Sequence, residues 1–486
     1  MNRPNMLSDN VASALFRLVL PMIPGTLSIV LFNLADTYFV GQLGAQQLAA
    51  MSFSFPVVLI SGGLAMGLGI GTSTFVSQSL GRGDKDEARV LSSRAHLLVF
   101  GLVLVLSMIG LATIDPLFTS MGATETTLPL IRTYMTIWFL GLPFVLLPMV
   151  GMNVLQASGD TKTPGLVLTL AVMLNIGLDP LLIFGIGPFP ELGIAGAAWA
   201  TVIARASSLI IVGAVIIGRE KMLTWRLGPI GEILSSWRGI LFVGIPAAAA
   251  NIFLPISIGI LTRLISEFGT EAVAGFGAAS RIESFALVFT LALSMILTPF
   301  VGQNHGAAKP RRVLSAHRVA ALFSLAWGAM VLIVFLLASR PIAAAFNDDP
   351  AVVSVTSQYL TILGVSYGFL GIVNLTAAAF NGLRKPMSAA GVAALRLFAL
   401  YVPLAIAGRA LLGLPGIFWG AALGNVISGV IAYLWFLRER RKAADGALEQ
   451  VNDGAPHGPG PAQAAPERVG ATAATDEIRE TEYNRT

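Results

Sequence analysis

FVSQSLG at residues 75–81 returns as FVGQNHG at residues 300–306, an offset of 225 residues. That offset superposes the chain on itself without a gap from Pro21 to Ile137. Pro21 falls on Pro246, Gly44 on Gly269, Pro116 on Pro341, and Tyr134-Met135-Thr136-Ile137 on Tyr359-Leu360-Thr361-Ile362. Apolar matches alone carry little weight in so hydrophobic a chain, but Gly, Pro, Gln and Tyr recurring at one spacing mark a duplication. With small gaps the match continues through Gly159 and Gly382, Pro164 and Pro386, then Gly193-Ile194 and Gly416-Ile417. The chain is two homologous halves.

Composition places those halves in a membrane. Of 486 residues, 55% are hydrophobic and 12% charged, with mean hydropathy +0.77, where soluble domains carry about 25% charged residues. A spanning helix needs about 20 apolar residues. Charge-free runs of that length occur at Ala45–Leu80, Ala95–Ile114, Thr133–Gly159, Gly239–Thr262, Ser284–Asn304, Val319–Ser339, Ala351–Leu383 and Ala410–Leu437. Four further spans carry one or two charges: Arg17 and Asp36, Asp179, Arg205, and Arg396. The predicted fold is an all-α polytopic membrane protein, with twelve transmembrane helices in two six-helix lobes. Six is even, so both lobes enter from the same side, as in parallel-repeat carriers that bind at the lobe interface.

The net charge of +5 reports topology, not nucleic-acid binding. Basic residues follow the even-numbered spans, at Arg82, Lys85, Arg89 and Arg94; Lys162; Arg219, Lys221, Arg226 and Arg238; Lys309, Arg311, Arg312 and Arg318; Arg384 and Lys385. By the positive-inside rule both termini are expected in the cytoplasm, with the chain in the cytoplasmic (inner) membrane. The expected segments are a cytoplasmic N-terminus at 1–13, a first lobe at 14–220, a linker at 221–238, a second lobe at 239–437 and a disordered tail at 438–486. The tail is charged and rich in Ala, Gly, Pro and Glu, too polar to bury a core. The first apolar run is long and lacks a small-residue cleavage site, so it reads as an uncleaved helix and not a signal peptide.

Asp36 and Asp179 are the sharpest functional clue. An ionisable residue at bilayer depth costs about 2.5 to 3.5 kcal/mol on insertion scales and marks an ion, proton or substrate path. In the first span, Asn33 and Asp36 share a face at i and i+3, and Pro21 and Pro24 make a kink. In the fifth, Asn175 and Asp179 share a face at i and i+4, and Pro180 frees the carbonyl near Ile176. Thr201 of the sixth span can join them. Carboxylate, amide and hydroxyl oxygens suit a proton or a hard cation such as Na⁺. Arg205, four residues after Thr201, is a candidate charge partner: contact with Asp179 would keep that acid ionised, and otherwise the two acids compete for one proton.

The second lobe breaks the symmetry. At the offset Asp36 becomes Leu261, and after Pro386 the chain offers Arg396 and Tyr401 where the first lobe offers Asn175 and Asp179. Glu283 is its one acidic candidate, as a cavity residue or in a salt bridge with Arg263 or a neighbour. Asn153, Asn251, Tyr367 and Asn374 are added, with Asn33, as cavity candidates from polarity within apolar spans.

Several chemistries are excluded. Without cysteine there are no disulfides, thiolate catalysis or thiolate metal sites. No GxxxxGK[ST] phosphate loop is present, which argues against ATP drive. His96, His305, His317 and His457 show no metal-ligand spacing, and no nucleophile set points to an enzyme. No cofactor is expected beyond H⁺ or Na⁺ as coupling ion.

At Pro21, Asn33-Leu-Ala-Asp36, Gly41-Gln-Leu-Gly44, Phe75-Val-Ser-Gln78, Asp160-Thr-Lys-Thr-Pro164, Asn175 to Asp179 and Gly193 to Thr201, the chain resembles the multidrug and toxic compound extrusion (MATE) family, over roughly Phe16 to Leu437. The resemblance implies a central cavity and antiport that exports amphiphilic or cationic drugs and toxic metabolites against H⁺ or Na⁺. It further implies a functional monomer. In the DinF-type branch the cation site would fall on Asp36, Asn175, Asp179 and Thr201, with Pro21 where the helix bends. The NorM-type match is poorer, because that branch carries an acid in the tenth span and Ala351–Leu383 has none. The alternative within the superfamily is a flippase for lipid-linked oligosaccharides, kept open by Arg205, Arg263 and Arg396.

Overall fold

The computed structural model describes residues 3–453; the side chains of Asn33, Leu34, Leu254 and residues 442–453 lie outside the description. The first lobe comprises α1 (Val11–Gln42), α2 (Ala45–Gly81), α3 (Lys85–Ser120), α4 (Leu128–Ala157), α5 (Lys162–Phe184) and α6 (Ile194–Arg219). The second comprises α7 (Ile230–Ser266), α8 (Thr270–Ala286 and Val288–Gly306), α9 (Pro310–Ala344), α10 (Pro350–Gly364 and Tyr367–Gly382), α11 (Pro386–Leu412) and α12, which starts at Leu414. Counting the bent α8 and α10 as one span each gives the twelve spans that composition predicts.

The repeat is structural as well as sequential. Ala45 and Gly81, the ends of α2, map at the 225 offset onto Thr270 and Gly306, the ends of α8. The lobes differ in continuity: α2 and α4 are unbroken, whereas α8 bends by 48° and α10 by 57°. α1 is interrupted by a 3₁₀ turn at Leu20–Met22, where Pro21 sits.

Burial along α2 and α8 locates the contact between lobes. From 71 to 79 every residue of α2 but Phe75 is buried, and 296–304 of α8 are buried throughout. A Cβ on Gly81 would overlap the carbonyl of Gln303, and one on Gly306 would overlap that of Gln78. Only glycine lets the two helix ends come so close. The other halves of these helices are open: Glu271, Ala274, Gly277, Arg281 and Ser284 form an exposed stripe on α8. Small and polar side chains there mark a watered cleft. Lipid-facing stripes look different, as with Leu104, Met108 and Leu111 on α3 or Leu322, Ile333 and Leu337 on α9. The lobes thus meet at the end bearing the basic loops (the basic end) and part toward the opposite end.

Residues 3–10 clasp the basic end. Arg3 Nη2 donates to Glu220 Oε1 at 2.6 Å and to Asp160 Oδ2 at 3.3 Å, both in the first lobe. From the second lobe, Arg312 Nη2 donates to the carbonyls of Met6 (2.9 Å) and Asp9 (2.8 Å), Asn304 Nδ2 to Met6 O (3.1 Å) and Lys309 Nζ to Leu7 O (3.0 Å). Met6 is buried in the core between them.

Two boundaries differ from the sequence reading. The α7 helix begins at Ile230, inside the expected linker 221–238, directly after Pro229, whose extended backbone forms the N-cap. The last helix runs on to Asp453, past the expected tail start at 438, since Ala, Glu and Lys are good helix formers. Residues 454–486 of the expected tail lie outside the described residues.

Candidate functional site

Three spans deliver a polar cluster into the first lobe. Asp36 of α1, Asn175 and Asp179 of α5, and Thr201 of α6 are all buried, Asp179 completely. Asn175 Nδ2 lies 3.3 Å from Asp179 Oδ1 and 3.3 Å from Thr201 Oγ1. Turned over, the amide still donates to Asp179, at 3.2 Å to Oδ2. The i, i+4 spacing on α5 makes this bridge, and Pro180 sits within the same helix.

Asp36 Oδ1 is buried and has no hydrogen-bond partner among the described residues. Asp36 lies within electrostatic reach of Asp179, and Tyr134 of α4 lies within reach of both acids. Tyr134 was not a site candidate from sequence; its recurrence as Tyr359 was the available signal. No basic side chain among the described residues forms an ion pair with either acid.

Arg205 does not pair with Asp179. Its guanidinium stands 5.8 Å from the centre of the Phe32 ring, and it borders a small cavity with Phe32, Asn175 and Thr201. A planar cation over a ring face is stabilised without an anion, and the amide of Asn175 occupies the side of Asp179 that faces α6.

Pro21 and its 3₁₀ turn pack on α5, the carbonyl of Pro21 against Gly165. The bend of α1 therefore leans on the helix that carries Asp179.

The cavity candidates separate. Asn153 and Asn251 are half-buried and bond back to their own helices, at Met149 O and Ala247 O (2.9 Å each). Asn153 abuts Gly69 of α2, and Asn251 faces Gly63. Asn374 is exposed. Tyr367 is not a cavity wall: it is 2% exposed in the second-lobe core, because the break of α10 turns it inward. Asn33's side chain lies outside the described residues.

Glu283 makes no salt bridge with Arg263. It accepts a hydrogen bond from Tyr359 at 2.6 Å. Arg396 donates to Asn425 Oδ1 at 2.9 Å and lies 5.2 Å from the centre of the Tyr401 ring. Arg396 and Tyr401 belong to a π-helical stretch of α11, Leu395–Tyr401. The second lobe thus holds its own polar cluster, built on the repeat mate of Tyr134.

Comparison with known proteins agrees with this architecture. The MatE family model matches residues 21–181 and 246–407, one copy in each lobe. The FAD transporter of Shewanella oneidensis is 38% identical over 432 residues, 89% of this chain and 96% of its own length. The multidrug export protein MepA of Staphylococcus aureus is 26% identical over 443 residues, 88% of this chain and 95% of its own. The crystal structure of the Vibrio cholerae MATE transporter VcmN in the bent form superposes with a TM-score of 0.84 at 32% identity, covering 89% of this chain and 97% of that one. A two-lobed helical membrane protein matched in both halves by one family model belongs to that family: the chain is a MATE-family transporter of small molecules, and not an enzyme.

Proposed function

We propose that the protein is a proton-coupled antiporter of the cytoplasmic membrane, working by alternating access as a monomer with its basic end in the cytoplasm. The observation that carries this reading is the buried pair Asp36 and Asp179, mutually within reach and unpaired with any base among the described residues. Two ionised carboxylates in one buried site repel, so the site calls for a cation. Asn175 presents an N–H to Asp179 in either orientation. That donor favours the ionised form of Asp179, and with no base among the described residues paired to either acid the two carboxylates compete for one proton. The lack of any acid in the tenth span, Ala351–Leu383, also fits the DinF-type branch.

Coupling requires that cation and cargo favour different conformations, because a ligand shifts an equilibrium only by its differential affinity. A proton entering down about 100 mV supplies about 2.3 kcal/mol, enough for a roughly 50-fold cargo gradient. The cleft, closed at the basic end and open opposite, represents the outward-facing limb of that cycle.

The cargo is an amphiphilic small molecule. Two classes are in contention: cationic amphiphilic drugs, in line with a relative named a multidrug export protein, and an anionic flavin, in line with a relative named an FAD transporter. Arg281 favours the second, being exposed on the cleft stripe of α8.

The test is transport in liposomes of ethidium and of FAD, under an imposed pH gradient and then a Na⁺ gradient, for the parent and Asp36→Asn. Movement driven by pH and lost in the variant supports the reading. Na⁺-driven movement would replace the proton. Equal transport by Asp36→Asn would remove the coupling assignment, and movement of neither cargo would point to a lipid-linked substrate and the arginines.

A further inference from the structure

The second lobe contains two spans bent by more than 40° at a break, and among the described residues the first lobe contains none bent so far. Both breaks fall against one short stretch of α9. The Trp327 indole Nε1 donates to the carbonyl of Ala286, at the break of α8, at 2.8 Å. Ser324 Oγ donates to the carbonyl of Gly368, just past the break of α10, at 2.9 Å. Gly328 lets α9 touch the same point, since a Cβ there would overlap the backbone of Gly368. Within five residues of α9, side chains therefore serve the backbone of both breaks, and the breaks lie at one depth. Satisfying broken backbone with neighbouring side chains is how a membrane protein maintains such a break.

Beyond the breaks, the two half-helices Thr270–Ala286 and Pro350–Gly364 are joined to each other. Tyr359 donates to Glu283 at 2.6 Å, and Thr356 Oγ1 donates to the carbonyl of Gly275 at 3.1 Å. Phe276 meets Tyr359 edge to face at 5.5 Å. Toward α12 Tyr359 has a ring contact, Phe418 at 5.1 Å, a surface that permits sliding. The break of α10 is also gripped: Ser366 Oγ accepts from Asn425, which accepts from Arg396.

We propose that these two half-helices are one flap, hinged along a line at Leu287 and Val365–Ser366, fastened together by Glu283 and Tyr359 and pivoting on Ser324–Gly328 of α9. Its swing opens and closes the second-lobe side of the cleft, where Arg281 and Ser284 are displayed. The first lobe lacks the parts. At the 225 offset Trp327 becomes Leu102, Ser324 becomes Val99 and Glu283 becomes Val58, and α2 and α4 are continuous helices. Motion in the second lobe is thereby separated from the acid pair in the first.

The absence of native cysteine permits a direct test with paired spin labels in the full-length protein in lipid nanodiscs. Glu271→Cys with Ala307→Cys spans the α8 bend; Gln46→Cys with Arg82→Cys is its repeat mate on unbroken α2. Straightening a 48° bend between pieces of 17 and 19 residues lengthens the first separation by about 5 Å at 1.5 Å rise per residue. Adding Tyr359→Phe is expected to shift population toward that longer distance and to leave the α2 pair unchanged. Glu283→Gln, which keeps the side-chain volume, serves as the second variant should Tyr359→Phe fail to fold. A single unshifted distance in the parent and in whichever variants fold, as narrow as that of the α2 pair, would make the bend a rigid kink and overturn the proposal.

Discussion

Gln78 and Gln303 stand 225 residues apart and reach across the lobe boundary in opposite directions. Gln78 Nε2 donates to the carbonyl of Gly382 at 2.8 Å, and Gln303 Nε2 to the carbonyl of Ala157 at 2.7 Å. Each carbonyl belongs to the last turn of a span in the other lobe, so the two bonds form a pseudo-symmetric clasp at the basic end. Removing one leaves a buried carbonyl unpaired and costs about 1 kcal/mol or more, which changes the ratio of closed to open forms roughly fivefold. Gln78→Ala is expected to raise maleimide labelling of Ser77→Cys, a position that is fully buried, by several-fold. Unchanged labelling would show that the clasp does not hold the lobes.

Asn175→Ala tests the bridge in the acid cluster. It removes the described donor to Asp179 and leaves a completely buried carboxylate without it, a penalty of about 1–3 kcal/mol. The expected result is loss of gradient-driven transport with the protein still folded by circular dichroism. Asn175→Asp would add a third acid, and its transport is expected to fall further. Full activity in Asn175→Ala would detach the amide from coupling.

The strap at residues 3–10 carries a pH dependence. Arg3, foremost, and Arg219 hold the Glu220 carboxyl below its ordinary value of 4.5. A lowered value in the attached state means the charged form is favoured there, so the contribution is complete above about 4.5 and disappears as acid titrates the carboxylate below it. A fluorophore on Ser8→Cys should remain immobile from neutral pH down to that range and gain mobility below it. Glu220→Gln should free it at neutral pH. If the fluorophore in Glu220→Gln is as immobile as in the parent, the ion pair does not secure the strap.

Arg94 holds the connection between lobes. Nearly buried, it donates to the carbonyl of Leu227 (2.8 Å), to Ser236 Oγ (2.9 Å) and to Glu232 Oε2 (2.7 Å), while its own carbonyl accepts from the Trp237 indole. Arg94→Ala should lower stability by about 1.5–3 kcal/mol, the range for hydrogen bonds to a charged group. Arg132→Ala, which breaks the surface pair with Asp115, should leave the melting temperature in detergent almost unchanged. Equal shifts in the two variants would contradict the burial argument.

The repeat, the spans and the acid cluster were legible because each left a marker that composition does not supply. Gln78 and Gln303 recur at one offset, and Asn175 and Asp179 share a helix face. The hinge of the second lobe was not legible. No proline lies at Ala286–Val288 or at Val365–Tyr367, and the side chains that serve those breaks, Trp327 and Ser324, come from a different span. Spacing alone gives Arg205 a role beside Asp179, but spacing places residues on a face and does not fix which neighbour a long side chain meets. The strap is illegible for a related reason: Arg3 and Met6 look like a short polar start until α9 is folded beneath them.

That strap fixes an order of assembly. Met6, Leu7 and Asp9 receive hydrogen bonds from Asn304, Lys309 and Arg312, residues that leave the ribosome roughly 300 positions later. At about 5–20 residues per second, the segment waits at least fifteen seconds or so for its partners. The first lobe can therefore bind Arg3 through Glu220 and Asp160 while Met6, Leu7 and Asp9 still lack their second-lobe donors, and seating Met6 between the halves is a late event in biogenesis, one that a bulky fusion ahead of Arg3 would obstruct.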